Sequence, residues 1–138
     1  MERELQKLSW LTIQKLVPKD IDTIIFPVGT VEAHGSACIG TDNYIPETIA
    51  EGIVERVNAL IAPTVNYGIT KSLYRYNGGS TIKPSTFKMY IRDILDSFVD
   101  SGFKNGILSN CISSQSNNFM RIKNPGIRLK GIPKGVSK

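Results

Sequence analysis

At 138 residues, with 41% hydrophobic and 21% charged positions, the chain has the size and composition of one ordinary globular domain. No uncharged apolar run of about 18 residues exists to form a transmembrane helix, and the charged opening Met1-Glu2-Arg3-Glu4 leads into no apolar signal core. The formal charge of +5 is unevenly spread: seven of the 17 Lys and Arg lie in residues 101–138, which hold no acid, leaving ten basic against twelve acidic residues before them. A solvated basic extension is the expectation there, and nucleic acid is not the expected partner, because only Phe119 offers the tail a stacking surface. Two cysteines, Cys38 and Cys111, are too few for a disulfide framework, so a reduced, cytoplasmic setting is expected.

In chain order, Ser9 is positioned to cap a helix over Trp10–Val17, whose apolar residues Trp10, Ile13, Leu16 and Val17 recur at helical spacing before Pro18. Residues 21–28 (Ile21, Ile24, Ile25, Phe26, Val28) form a dense apolar run suited to a strand buried on both faces. A loop from Gly29 to Asn43 follows. Pro46 reads as the first residue of a second helix, continued by Ile49, Ile53, Val54, Val57 and Leu60. Leu60–Tyr67 reads as a second strand, and Gly68–Pro84 as a long polar loop. Ser85 or Thr86 then caps a third helix with Ile91, Ile94, Leu95, Phe98 and Val99 in one stripe, stopped at Gly102. Lys104–Ser109 is the third expected strand. This alternation argues for a three-layer αβα arrangement with a mainly parallel sheet. Beyond Asn110 the pattern fails, so the sheet is expected to end at its third strand. The expected organisation is a partial α/β domain over 1–118 and a poorly ordered basic tail over 119–138.

The segment richest in chemistry is Pro27-Val28-Gly29-Thr30-Val31-Glu32-Ala33-His34-Gly35, followed by Gly40-Thr41-Asp42. A first strand running on to His34 would point Glu32 and His34 to one side. Gly35 and Gly40 would let the chain turn and return Asp42 to them. One imidazole with two carboxylates suits Zn²⁺, Mn²⁺ or Fe²⁺. The alternative for that spacing is a histidine near a strand end satisfied by hydrogen bonds alone.

The stretch from Leu8-Ser9-Trp10 to Asp42 resembles the opening of the creatininase (creatinine amidohydrolase) family. There a Trp-bearing helix and an apolar strand precede Pro-Val-Gly-Ser/Thr-x-Glu-x-His-Gly and then Gly-Thr-Asp. The likeness runs more loosely through the strand ending Tyr67-Gly68 and through Ser80-Thr81-Ile82, and covers residues 5 to about 110. It implies a metal-dependent amidohydrolase acting on a linear or cyclic amide of a small molecule, with homo-oligomers possible. It also implies two divalent metals per site, Glu32 on one, His34 on the other and Asp42 bridging.

Three departures temper that implication. Ser36-Ala37-Cys38-Ile39 is shorter than the family loop and lacks its further histidine; Cys38 could serve a soft metal as thiolate or be an inert small side chain. After Asn110, Cys111-Ile112-Ser113-Ser114-Gln115 replaces the family's Asn-Gly-His-Gly-Gly-Asn, and Ile112 cannot coordinate. A catalytic role for Cys111 would need a second histidine as base, which the chain does not have. No later carboxylate ligand is identifiable. The expectations are therefore at most one bound cation, impaired hydrolysis or a non-catalytic subunit of the same family, and a reading frame interrupted near codon 110.

Overall fold

The computed structural model describes residues 1–110 and 124–132. Among these residues three α-helices and four β-strands follow in order: α1 (Trp10–Leu16), β1 (Thr23–Pro27), α2 (Thr41–Ile53), β2 (Ala59–Ile61), α3 (Pro84–Asp100), β3 (Asn105–Ser109) and β4 (Arg128–Gly131). The sheet order is β2-β1-β3-β4 and every pairing is parallel.

β1 is central, and Ile24, Ile25 and Phe26 are all at most 1% exposed, as a strand covered on both faces requires. Alternation sends successive residues to opposite layers. Ile24 and Phe26 join Leu60, Leu108 and the α3 residues Phe87, Ile91 and Leu95. Ile25 joins Ile61, Ile107 and the α2 residues Ala50 and Ile53 on the other side. Two cores separated by one sheet make the expected three-layer αβα arrangement.

Local chemistry explains most element ends. Ser9 caps α1 as read, its hydroxyl accepting from the Thr12 N–H at 3.2 Å. Trp10, which shares the helical spacing of Ile13 and Leu16, is 69% exposed. β2 is shorter than the apolar run promised, because Pro63 has no N–H for a ladder. Its neighbours still contact β1, with Ala62 N–H donating to the Ile25 carbonyl and Val65 N–H to that of Pro27. Neither Ser85 nor Thr86 caps α3; Lys83 is the cap residue without a side-chain bond, and Pro84 takes the first helical position, where its missing N–H is harmless. Gly102, at φ +99°, stops the helix as expected.

Two larger corrections concern α2 and the tail. α2 starts at Thr41, five residues before Pro46, which sits inside it. The proline forgoes one bond to the Asp42 carbonyl, and burial of Ala50 and Ile53 holds the helix regardless. The sheet does not end at its third strand: β4 pairs along β3, with Arg128 N–H donating to the Lys104 carbonyl at 2.8 Å. Its anchor is Ile127, 5% exposed, one apolar residue too isolated among Pro125, Gly126 and Gly131 to give a readable period. The Asn124 side chain bonds Asp96 of α3 at 2.6 Å. Within the stretch 119–138, residues 128–131 pair with β3, and residues 111–123 and 133–138 lie outside the described residues. Hydrogen exchange checks this: the Arg128 amide should exchange more slowly than that of the exposed Asn77, and equal rates would remove β4.

Among the described residues no helix is long and apolar enough to cross a membrane.

Candidate metal centre

The chain passes from β1 to β2 on one side and returns through α3 to β3 on the other. The carboxyl ends of β1 and β3 therefore flank the crevice where open parallel sheets bind ligands. β1 ends at Pro27, so Glu32 and His34 are not on a strand and do not owe their proximity to a two-residue repeat. A pinned loop brings them together instead. Val28 N–H donates to the Ser109 carbonyl and Gly29 N–H to that of Val65, fixing the exit from β1. Ser80 N–H donates to the Val31 carbonyl, and Glu32 N–H to that of Ile39 at 3.1 Å, closing the loop on itself. At its far end Ala37 N–H meets the His34 carbonyl around Gly35, whose φ is +57°. Gly40 does not need a left-handed conformation; at φ −91° it is the N-cap of α2, and that helix start carries Asp42.

Glu32, His34 and Asp42 each offer one ligand atom within 4.8 Å of the others, as the sequence reading expected. Glu32 is 7% and Asp42 5% exposed, while the His34 side chain is partly open. His34 Nε2 lies 2.9 Å from Asp42 Oδ2. Where Asp42 is ionised it can only accept, and Nε2 would then carry the hydrogen. Coordination through that nitrogen would require the proton to leave it. Burial, reinforced by the hydrogen bond and like charge of Asp42 and opposed by His34, holds the Glu32 carboxyl above its ordinary value of 4.5. Two crowded, buried carboxylates beside an imidazole are unfavourable without a cation and favourable with one, which is the pattern of a binding site.

The structure adds Thr30, which the motif contained but spacing did not single out. It is fully buried and its Oγ1 donates to Asp42 Oδ2 at 3.2 Å. The available signal was a hydroxyl at the end of an apolar strand, which must find a partner when buried. Cys38 stays outside the ligand group: it is exposed, and its Sγ lies 3.5 Å from Thr41 Oγ1. Cys111 and Ile112 lie outside the described residues.

Comparison with known proteins agrees with this geometry. The family model described as creatininase, creatinine amidohydrolase, matches residues 6–117. A creatinine amidohydrolase of Pseudomonas putida is 26% identical over 111 residues, covering 75% of this chain and 42% of the relative. A 3-dehydro-scyllo-inosose hydrolase of Thermotoga maritima is 30% identical over 94 residues, covering 67% of this chain and 30% of the relative. The chain thus spans less than half the length of these curated relatives. A solved creatinine amidohydrolase superposes with a TM-score of 0.83 at 18% identity, covering 95% of this chain and 57% of its own. A manganese form of creatininase gives 0.86 at 18% identity, over 96% and 58%. A parallel sheet with helices on both faces, a Glu-x-His and Asp group with both carboxylates buried at its carboxyl end, and a family match across most of the residues agree: the chain belongs to the creatininase family.

Proposed function

We propose that this chain is a metal-dependent amidohydrolase relative in which Glu32, His34 and Asp42 hold a single divalent cation, and that its own turnover of small-molecule amides is weak. The observation that carries the reading is the convergence of three buried or half-buried donors within 4.8 Å. Their mixed oxygen and nitrogen chemistry fits Zn²⁺ or Mn²⁺, and relatives' structures are described as manganese and zinc forms. When bound, such a cation polarises an amide carbonyl and lowers the pKa of water.

The chain's residues have separable tasks. Glu32 and Asp42 supply the negative charge that a cation compensates. Thr30 fixes one Asp42 oxygen. His34 is the most open of the three, its side chain 27% exposed. Three protein ligands are enough for one cation with an open position. A second needs more, and the sequence has Ile112 where the family motif has a histidine. A linear or cyclic amide is the substrate class the family supports, and one relative's structure is described as a complex with creatine. Ile112 equally favours a second reading, a non-catalytic subunit that keeps the fold and loses turnover.

Calorimetric titration of the purified chain with Zn²⁺ and Mn²⁺ should give one weakly held ion, and creatinine hydrolysis should be negligible beside that of a full-length relative. Two tightly bound ions, or turnover abolished by Glu32→Ala, would overturn the single-cation and weak-turnover reading. Removing the Asp42 orienting bond by Thr30→Val should weaken cation binding by about 10-fold or more without unfolding the chain, the usual effect of losing a partner behind a ligand. Unchanged affinity in that variant would assign Thr30 to packing alone.

A further inference from the structure

The entry of Asp42 into the site depends on how the start of α2 meets the end of β1. A methyl group on Gly29 would overlap Asn43 Oδ1 and the Asp42 carbonyl oxygen, and would lie 2.8 Å from Asn43 Cα. Two of those three obstacles are backbone atoms, which cannot rotate aside. Asn43 is itself 8% exposed, and its Oδ1 has no hydrogen-bond partner among the described residues. A buried carbonyl oxygen left in that state is unfavourable, so hydrogen bonding does not account for its position over Gly29, whereas close packing does.

Two further features hold α2 at this place. Pro46, four residues after Asp42, has no N–H to draw the Asp42 carbonyl into the helix, and its ring crowds that oxygen. The fully buried Ser109, at the end of β3, donates its hydroxyl to the Pro46 carbonyl at 2.8 Å. The helix start is thus clamped between the ends of β1 and β3, with the Asp42 carbonyl and the Asn43 side chain lying on the bare face of Gly29. It cannot retreat from an added methyl without carrying Asp42 along.

We infer that Gly29 is a positioning residue for Asp42: its missing side chain is the seat that lets the first turn of α2 come close enough for the Asp42 carboxylate to meet Glu32 and His34. The cation-binding consequence rests on the proposed metal reading; the positioning itself does not.

His34 is the single histidine in the chain, so its imidazole ¹⁵N signals report the Asp42 contact without overlap. The full-length chain is compared without metal as wild type, Gly29→Ala, Asp42→Ala and Gly52→Ala, the last adding a methyl that meets nothing within 4 Å. Gly29→Ala should move the Nε2 signal to its Asp42→Ala position, whereas Gly52→Ala should leave it in place. Titration with Zn²⁺ should then show an affinity loss of about 10-fold or more for Gly29→Ala, a loss for Asp42→Ala as well, and none for Gly52→Ala. A wild-type signal and wild-type affinity in Gly29→Ala would overturn the inference. If Gly29→Ala does not fold, Gly29→Ala/Asn43→Ala removes the side-chain overlap and keeps that with the Asp42 carbonyl. It should fold with the His34 signal still displaced. A restored signal would locate the obstruction in Asn43 alone, and loss of fold in both variants would make Gly29 merely structural; either overturns positioning. A wild type that binds no cation, with the His34 signal displaced in Gly29→Ala, would remove the metal reading and leave the seat standing.

Discussion

Glu32→Gln should abolish measurable cation binding while raising the thermal stability of the metal-free chain at neutral pH. The first effect follows from losing a proposed ligand. Altering a partner one step behind a ligand already weakens binding by about 10- to 100-fold, so removing the ligand should exceed 100-fold. The second follows from the raised Glu32 pKa, caused first by burial and then by Asp42. A carboxyl whose folded pKa lies above its unfolded one binds extra protons in the folded state. Its contribution is full below the ordinary value of 4.5 and is lost as pH rises through the higher, folded value. As pH rises past the ordinary value, the wild type carries a penalty from burial and from Asp42 on the Glu32 carboxylate, and glutamine removes it. The stability advantage of Glu32→Gln should vanish at or below pH 4.5, where the wild-type side chain is protonated too. Cation affinity of the wild type should rise with pH across the same window, since binding must displace that proton. Melting curves from pH 4 to 8, with and without Zn²⁺, read both effects. Equal metal-free stability at neutral pH would mean that Glu32 is not strained, and retained binding would remove it from the ligand set.

Phe87→Ala should lower stability by about 3–5 kcal/mol, the usual range for emptying a fully buried phenylalanine site. Phe87 is 0% exposed, as are Ile91 and Leu95, which follow it at four-residue intervals along α3. These three form the helix side of the core over Ile24, Phe26, Leu60 and Leu108. Against a total stability of roughly 5–15 kcal/mol for a natural domain, such a loss leaves little margin. The corresponding fall in melting temperature is about 10–25 °C for a chain of this size. Met89, two residues on and 68% exposed, is the internal comparison; Met89→Ala should change stability by no more than about 0.5 kcal/mol. Similar melting temperatures for the two variants would mean that α3 does not lie on the sheet by the face described.

The sequence by itself determined what periodicity and local chemistry can carry. The density of Ile24-Ile25-Phe26 announced a strand covered on both faces, the Ile91, Leu95 and Phe98 stripe announced α3, and Ser9 announced the start of α1. The residue types at 32, 34 and 42 marked out a mixed carboxylate and imidazole group that the structure brings together. Each of these signals is written within a dozen residues, where side-chain pattern alone distinguishes the alternatives. Other features were decided only by tertiary contacts. Glu32 and His34 meet because Ser80 and Ile39 pin a loop, not because a strand aligns them. Pro46 would open a helix on local grounds, yet the site needs Asp42 in its first turn, and the core holds the helix despite the missing bond. β4 forms around one anchor, Ile127, because the exposed edge of β3 supplies the hydrogen-bonding groups that four residues with no apolar period cannot supply themselves. Thr30 and Gly29 look ordinary in a list of residues. Their roles depend on which atoms of α2 arrive beside them, and that is fixed only when helix and sheet pack.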